Sequence, residues 1–271
     1  MSTINTNNGA LVALRNLSAT NNELARSLNK TATGKKVDSP ATDASTFSIA
    51  QNANADLKAF DAVQQGLSNG TGINAAAIAG ATAVQDLIAG LKAKAIAASN
   101  PANTPEQQAI LNADFEAQVR QVGSAIEGAS YNGRNLISAG SQNVALTASV
   151  SGGQQTLANA ATVGGIPGAL GGGVGTVAAA EAMISTLDAQ ALIVGQALGT
   201  LGANQKAVEF QSTFSKTLSD AVTQGVGEMV DANLAAEAAK LRALQIKQQL
   251  GGSTLNIANQ RPQTLLSLFN T

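Results

Sequence analysis

The chain has 271 residues with 16 basic and 17 acidic side chains, a formal net charge of -1, long enough for one or two domains with a sizeable core. Cys and His are both absent, which excludes disulfides, thiolate chemistry, imidazole metal sites and His-based acid–base catalysis. There is no basic stripe for nucleic acid and no polybasic patch for a membrane surface, and with 12% charged and 3% aromatic residues the core must be built from Ala, Val, Leu and Ile, which suits long helices lying side by side.

The start of the chain, MSTINTNNG, shows no charged leader, apolar segment or small-residue cleavage site, so the expectation is a protein that uses no cleaved signal peptide. No stretch reaches about 18 unbroken apolar residues, and membrane insertion is not expected. The first helix runs from Ala10 to about Thr33. Ala10, Leu14, Leu17, Asn21, Leu24 and Leu28 recur at alternating steps of four and three, a heptad seam with Asn21 as its polar position. Gly34 suits the position just past its end, and the segment from Lys35 to Asp43, with Pro40, reads as a connector.

The second helical stretch runs from Ser45 to about Ser99. Its seam is Leu57, Phe60, Val63, Leu67, Gly70, Asn74, Ala77, Ala81, Val84, Ile88, Leu91 and Ala95. A continuous helix of that length would extend roughly 80 Å, more than one face of a compact domain. Gly66, Gly70, Gly72, Gly80 and Gly90 either mark close backbone approach or, between 66 and 72, a break.

Thr104, Pro105 and Gln107 form a helix-start signature with a capping box. The helix that follows carries Leu111, Phe115, Val119, Val122, Ile126 and Ala129 on one face and ends at the Asn132-Gly133 turn signal. Alternation from Val144 to Val150, then Gly152-Gly153 and Gln155 to Ala158, reads as one β-hairpin. Val163 to Gly175 is glycine-rich and reads as a surface loop. Thr176 opens a last long helix with the seam Ile184, Leu187, Ala191, Val194, Leu198, Leu201, Gln205 and Val208, expected to continue with little interruption to about Leu250. Within it Val230, Leu234, Ala238, Leu241 and Leu244 form one stripe. Pro262 would kink or restart the tail.

No motif here supports catalysis. Gly66-Leu67-Ser68-Asn69-Gly70 has the spacing of a nucleophile elbow, but the chain offers no His base and the segment is helical. Gly173 to Ala178 imitates a dinucleotide fingerprint without the strand that must precede it. The acidic pairs Asp56/Asp61 and Glu228/Asp231 lack a third ligand. No cofactor and no metal site is expected.

Both ends do carry a specific signal. Ile4-Asn5-Thr6-Asn7, Ser27-Leu28, Thr33-Gly34-Lys35-Lys36-Val37 and Asp43-Ala44 at one end resemble bacterial flagellin. At the other end the resemblance rests on Gln245-Ile246, Gln248-Gln249, Ala258-Asn259-Gln260, Pro262-Gln263 and Leu265 to Leu268, and between them on Tyr131 to Leu136. It covers roughly residues 1–137 and 176–271.

The resemblance implies a mainly α fold: a long antiparallel helical bundle or coiled-coil rod with one small β-hairpin region and paired N- and C-terminal helices. Residues 1–40 with 232–271 would form an inner core, and 41–231 a long-helix region with a hairpin and Gly-rich loop near 135–175. It further implies an extracellular filament subunit, exported by the flagellar type III pathway. Its partners would be other copies of itself, sister flagellins, an export chaperone, the filament cap and hook-associated proteins. The self-assembly contacts would be Leu14, Leu17, Asn21, Leu24 and Leu28 with Leu234, Leu241, Leu244, Leu265 and Leu268. A hook–filament junction protein of the same superfamily and an unrelated coiled-coil binding protein are the alternatives. Larger members carry outer domains where this chain has only Asn143 to Gly175, so a short form is expected.

Overall fold

The computed structural model describes residues 6–269, and side chains for residues 6–260. Six helices are α1 (Asn8–Thr33), α2 (Ala44–Ala98), α3 (Pro105–Gly128), α4 (Ile166–Ala169), α5 (Val177–Val230) and α6 (Leu234–Phe269). Four short strands are β1 (Ser130–Tyr131), β2 (Arg134–Asn135), β3 (Val144–Thr147) and β4 (Gln154–Leu157). The chain divides into two compact units, Met1–Ala55 with Ala221–Thr271, and Asp56–Asp220.

In the middle unit, 56–220, α2 and α5 run antiparallel. Asn74 Nδ2 donates to the Leu201 carbonyl at 2.9 Å and to Gln205 Oε1 at 3.2 Å, and Gln64 donates to the Ser212 hydroxyl. The α2 seam from Val63 to Ala95 lies in one core with Phe115, Val122 and Ile126 of α3 and Leu187, Val194 and Leu201 of α5. Both α2 and α5 hold a stretch long and apolar enough to cross a bilayer, and in this unit each contributes its seam to that shared core.

The α2 glycines do not break the helix, which is continuous from Ala44 to Ala98. Three of them mark close approach: a side chain at Gly70 would overlap Leu146 of the hairpin, one at Gly72 would stand 2.9 Å from the Tyr131 ring, and one at Gly80 would sit 2.9 Å from Ile137 Cδ1. The start of α3 has the capping box that Thr104 and Gln107 predict.

The β structure exceeds the single hairpin expected. β3 and β4 pair antiparallel with Val144 opposite Leu157. β1 and β2 also pair, around Asn132 and Gly133, which both take positive φ (51° and 73°). That is the two-residue turn geometry which Asn-Gly favours and which matches strand twist. Asn204 holds β4 from α5, accepting from the Ala158 N–H at 3.1 Å and donating to its carbonyl at 2.8 Å.

The segment from Val163 to Gly175 is not a surface loop. It forms a 3-10 turn at Ala161–Gly165 followed by α4, and Val163, Ile166, Leu170 and Val174 are buried in the main core. Gln108 Nε2 donates to the Val174 carbonyl at 2.6 Å and Asn112 Oδ1 accepts from the Val174 N–H at 2.7 Å, tying the segment to α3. Of the glycines here, Gly164 is pressed against the Ser138–Ala139 backbone and Gly173 takes a positive φ of 63°.

In the terminal unit, the expected long helix through to Leu250 is interrupted. α5 ends at Val230 and α6 begins at Leu234. The turn after α1 inserts at the junction: Lys36 N–H donates to the Val230 carbonyl at 2.7 Å and Ala232 N–H to the Gly34 carbonyl at 2.8 Å. Gly34 takes φ 70°, the left-handed conformation glycine adopts freely. Val37, Ala50, Val226 and Val230 form a small core beneath this crossing. Val230 therefore belongs to that core and not to the α6 stripe.

Asp43 starts α2, accepting from the Ser45 and Thr46 N–H groups at 3.1 Å and from the Thr46 hydroxyl at 2.7 Å. These bonds, the Thr46 hydroxyl first, hold its pKa below the ordinary carboxylate value. A depressed carboxyl stabilises the fold while ionised, and that contribution is lost as pH falls through its lowered pKa. Asp43→Asn should therefore raise amide exchange in the first turn of α2 at neutral pH. The gap from the parent chain should close at a pH below that lowered value, where both caps are neutral.

Candidate assembly surface

α1 and α6 pack antiparallel in the terminal unit. Asn7 caps α1, accepting from the Ala10 N–H at 3.0 Å, and its own amide donates to the Ala258 carbonyl at 2.7 Å. Further along, Leu17 lies against Gly251, where a Cβ would stand 3.2 Å from Leu17 Cδ1. Gln248 Nε2 donates to Asn21 Oδ1 at 2.8 Å. At the start of α6, Asn233 Oδ1 accepts from the Ala236 N–H at 3.1 Å.

The heptad seam of α1 splits across this pairing. Ala10, Leu17 and Leu24 are half-buried, with Ala13 and Ser27 buried beside them. Leu14 and Leu28 remain 52% and 47% exposed, and Asn21 is exposed despite its bond to Gln248. In α6, Leu244 is buried and Leu241 half-buried, whereas Leu234 is 51% exposed. The side chains of Leu265 and Leu268 lie outside the described residues.

Leucine-counting overlooked three small residues: Ala13 and Ser27, which are buried on α1, and Gly251, which lies against Leu17. Ser27 Oγ is buried with no hydrogen-bond partner among the described residues. Ser27→Ala removes an unsatisfied hydroxyl and improves helix propensity, so it should stabilise the α1–α6 pair by about 1 kcal/mol. Slower amide exchange in α1 would register the gain.

Leu11, Val12, Leu14 and Leu28 on α1, with Ile246, Leu250 and Ile257 on α6, are large apolar side chains left open to solvent. Leu11 and Leu14 border an open groove of about 420 Å³ between the helices, whose other walls include Asn7, Ala10 and Leu255. Among the described residues, no group of three His, Cys, Asp or Glu could hold a metal.

The fold and this surface define a class: a helical structural protein with more apolar helix face than one chain covers. Comparison with known proteins gives the family. Residues 4–142 match the bacterial flagellin N-terminal helical region and residues 184–269 its C-terminal helical region. The chain is 35% identical over 270 residues to flagellin FljM of Caulobacter vibrioides, covering 99% of both chains. It is 31% identical over 284 residues to a flagellin of Brucella melitensis, again over 99% of both. A solved protein described as flagellar hook-associated, from Vibrio parahaemolyticus, shares the fold at TM-score 0.59 and 11% identity, over 70% of this chain and all of that one.

This chain belongs to the bacterial flagellin family. It is a structural subunit of the flagellar filament, the self-polymerised extracellular helix that serves swimming motility.

Proposed function

We propose that residues 1–40 with 232–271 form the inner core of the filament, and that the exposed sides of α1 and α6 are the contacts made with neighbouring copies. The observation that carries this reading is the leucine split: Leu14, Leu28 and Leu234 stand open while Leu17, Leu24, Leu241 and Leu244 face inward. Within α1 only Ala13 and Ser27 are buried, and in α6 only Leu244 among the described side chains. Ordering roughly 60 terminal residues costs on the order of 1–2 kcal/mol each. So thin a buried strip does not offset that, and neighbouring copies must supply the remaining burial. A side chain of the next subunit fits the groove beside Leu11 and Leu14. Leu265 and Leu268 would join these contacts, and residues 41–231 would transmit torque along the filament.

Under this reading the subunit leaves the cell unfolded through the flagellar type III pathway. A chaperone would shield the apolar ends before export. The filament cap and hook-associated proteins would meet the same ends at the two termini of the polymer.

Hydrogen exchange on the full chain tests the reading before and after seeded polymerisation. Amides of α1 and α6 should exchange rapidly in the dilute monomer and become protected in the filament. Equal protection in both states, or a chain that forms no filament on seeding, would refute it.

A further inference from the structure

We propose that the Asn132-Gly133 turn is a site of spontaneous main-chain modification: deamidation through a cyclic imide, ending in isoaspartate, which releases Tyr131 from α2. The proposal is independent of the assembly reading and concerns only the middle unit.

The sequence holds three Asn-Gly pairs: Asn8-Gly9, Asn69-Gly70 and Asn132-Gly133. The reaction requires the glycine main-chain nitrogen to reach the side-chain carbonyl carbon of the asparagine. Glycine, with no Cβ, hinders that approach least. The fold treats the pairs differently. Asn69 and Asn132 are both exposed, so the asparagine does not distinguish them; the glycine does. Gly70 is buried within the continuous helix α2. Its N–H is engaged by the carbonyl four residues back, and Leu146 covers it. Freeing that nitrogen means opening α2 against the core. Gly133 is exposed, and a Cβ there would meet nothing within 4 Å. Its N–H lies inside a two-residue turn, whose closing bonds are made by the flanking residues. Asn132, with φ 51°, is the one non-glycine residue with positive φ among the described residues. β1 and β2 have two residues each, so little resists rotation of the backbone at Asn132. Asn8-Gly9 lies in the first turn of α1, and its reactivity follows the order of that terminus.

The Gly133 nitrogen attacks Asn132 Cγ. The N–Cγ bond forms, the Cγ–Nδ2 bond breaks, and Nδ2 leaves as ammonia with the proton from Gly133. Solvent water then opens the imide. Attack at Cγ breaks its new bond to nitrogen and leaves aspartate at 132. Attack at the main-chain carbonyl breaks the original peptide bond and leaves isoaspartate, with the chain routed through Cγ. That route lengthens the main chain by one carbon, which a two-residue turn cannot absorb while Tyr131 stays opposite Arg134. The Tyr131 ring lies 2.9 Å from where a Cβ on Gly72 would stand, so loss of the pairing detaches it from α2. The Asn135 side chain donates to the Ile126 carbonyl at 2.6 Å and accepts from the Ile137 N–H at 2.8 Å, which confines the change to the turn.

The chain has one Tyr and no Trp, so its tyrosine fluorescence reports residue 131 alone. The full chain, dilute and aged in mildly alkaline buffer, tests the proposal. Isoaspartate is located by methyl transfer from an isoaspartyl methyltransferase followed by peptide mass mapping. Residue 132 should carry at least about tenfold more isoaspartate than residue 69, because only the latter requires a helix to open. In urea, where both pairs are unstructured, the ratio should fall to near one. Acrylamide quenching of the tyrosine should increase as isoaspartate accumulates at 132. Asn132→Gly leaves a pair suited to the same turn and should show no increase in quenching on ageing. Absence of isoaspartate at 132, an equal or greater yield at 69, or a ratio unchanged by urea would overturn the proposal. Quenching that stays constant after 132 has converted, or that rises equally in Asn132→Gly, would do the same. Should Asn132→Gly fail to fold, the yields and quenching of the parent chain decide.

Discussion

Leu14→Asp combined with Leu28→Asp should abolish filament growth while leaving the monomer as helical as the parent. Both side chains are about half exposed in the single chain, so a carboxylate at either position stays in water and the α1–α6 contact loses little. In the filament the same positions are to be covered by neighbouring copies. There an unpaired carboxylate costs on the order of several kcal/mol, and the cost recurs at every subunit added. Leu17→Asp is the informative contrast. Leu17 faces Gly251 within the chain, so the charge should disrupt the pair itself and raise exchange in α1 and α6 before any polymer forms. Electron microscopy after seeding, with circular dichroism of the monomer, separates the two. Long filaments from the double variant would remove Leu14 and Leu28 from the assembly surface.

Gly164→Ala should destabilise the middle unit by about 3 kcal/mol, within the upper range for overpacking a filled site. A methyl there would stand 2.6 Å from Ala139 Cα and from the Ser138 carbonyl carbon. The Ser138–Ala139 backbone cannot rotate out of the way as a side chain can. Val163 and Ile166 flank the position and are fully buried, so local retreat would open the core. Denaturant unfolding of the full chain measures the loss as a lower midpoint. An unchanged midpoint would mean that the glycine-rich segment yields like a loop.

These two expectations differ in how far the residues alone could have led to them. The α2 seam was legible because it is long: each position from Val63 to Ala95 that the three-and-four spacing selects is buried. The Thr104–Gln107 box and the Asn132-Gly133 turn were legible because their chemistry is local, a side chain bonding its own backbone or a residue pair that tolerates positive φ. The family signature at both ends was legible as residues, and the structure gives some of them work: Asn7 caps α1 and ties it to α6, Gly34 takes the left-handed turn, Asp43 caps α2.

The rest depends on contacts between residues far apart in the chain. Nothing in α1 says which half of its wide apolar stripe meets α6. Gly251, brought from the far end of the chain, lies against Leu17, which turns inward while Leu14 stays exposed. The break after Val230 is likewise made at a distance, because the Gly34–Lys36 backbone supplies hydrogen bonds that a continuous helix would have kept for itself. Asn233 was its one local sign. The segment from Val163 to Gly175 reads as flexible because glycine is permissive in an isolated peptide. Within the core the same absence of a side chain lets backbone pack against backbone, so composition pointed to a loop where burial produced a compact turn.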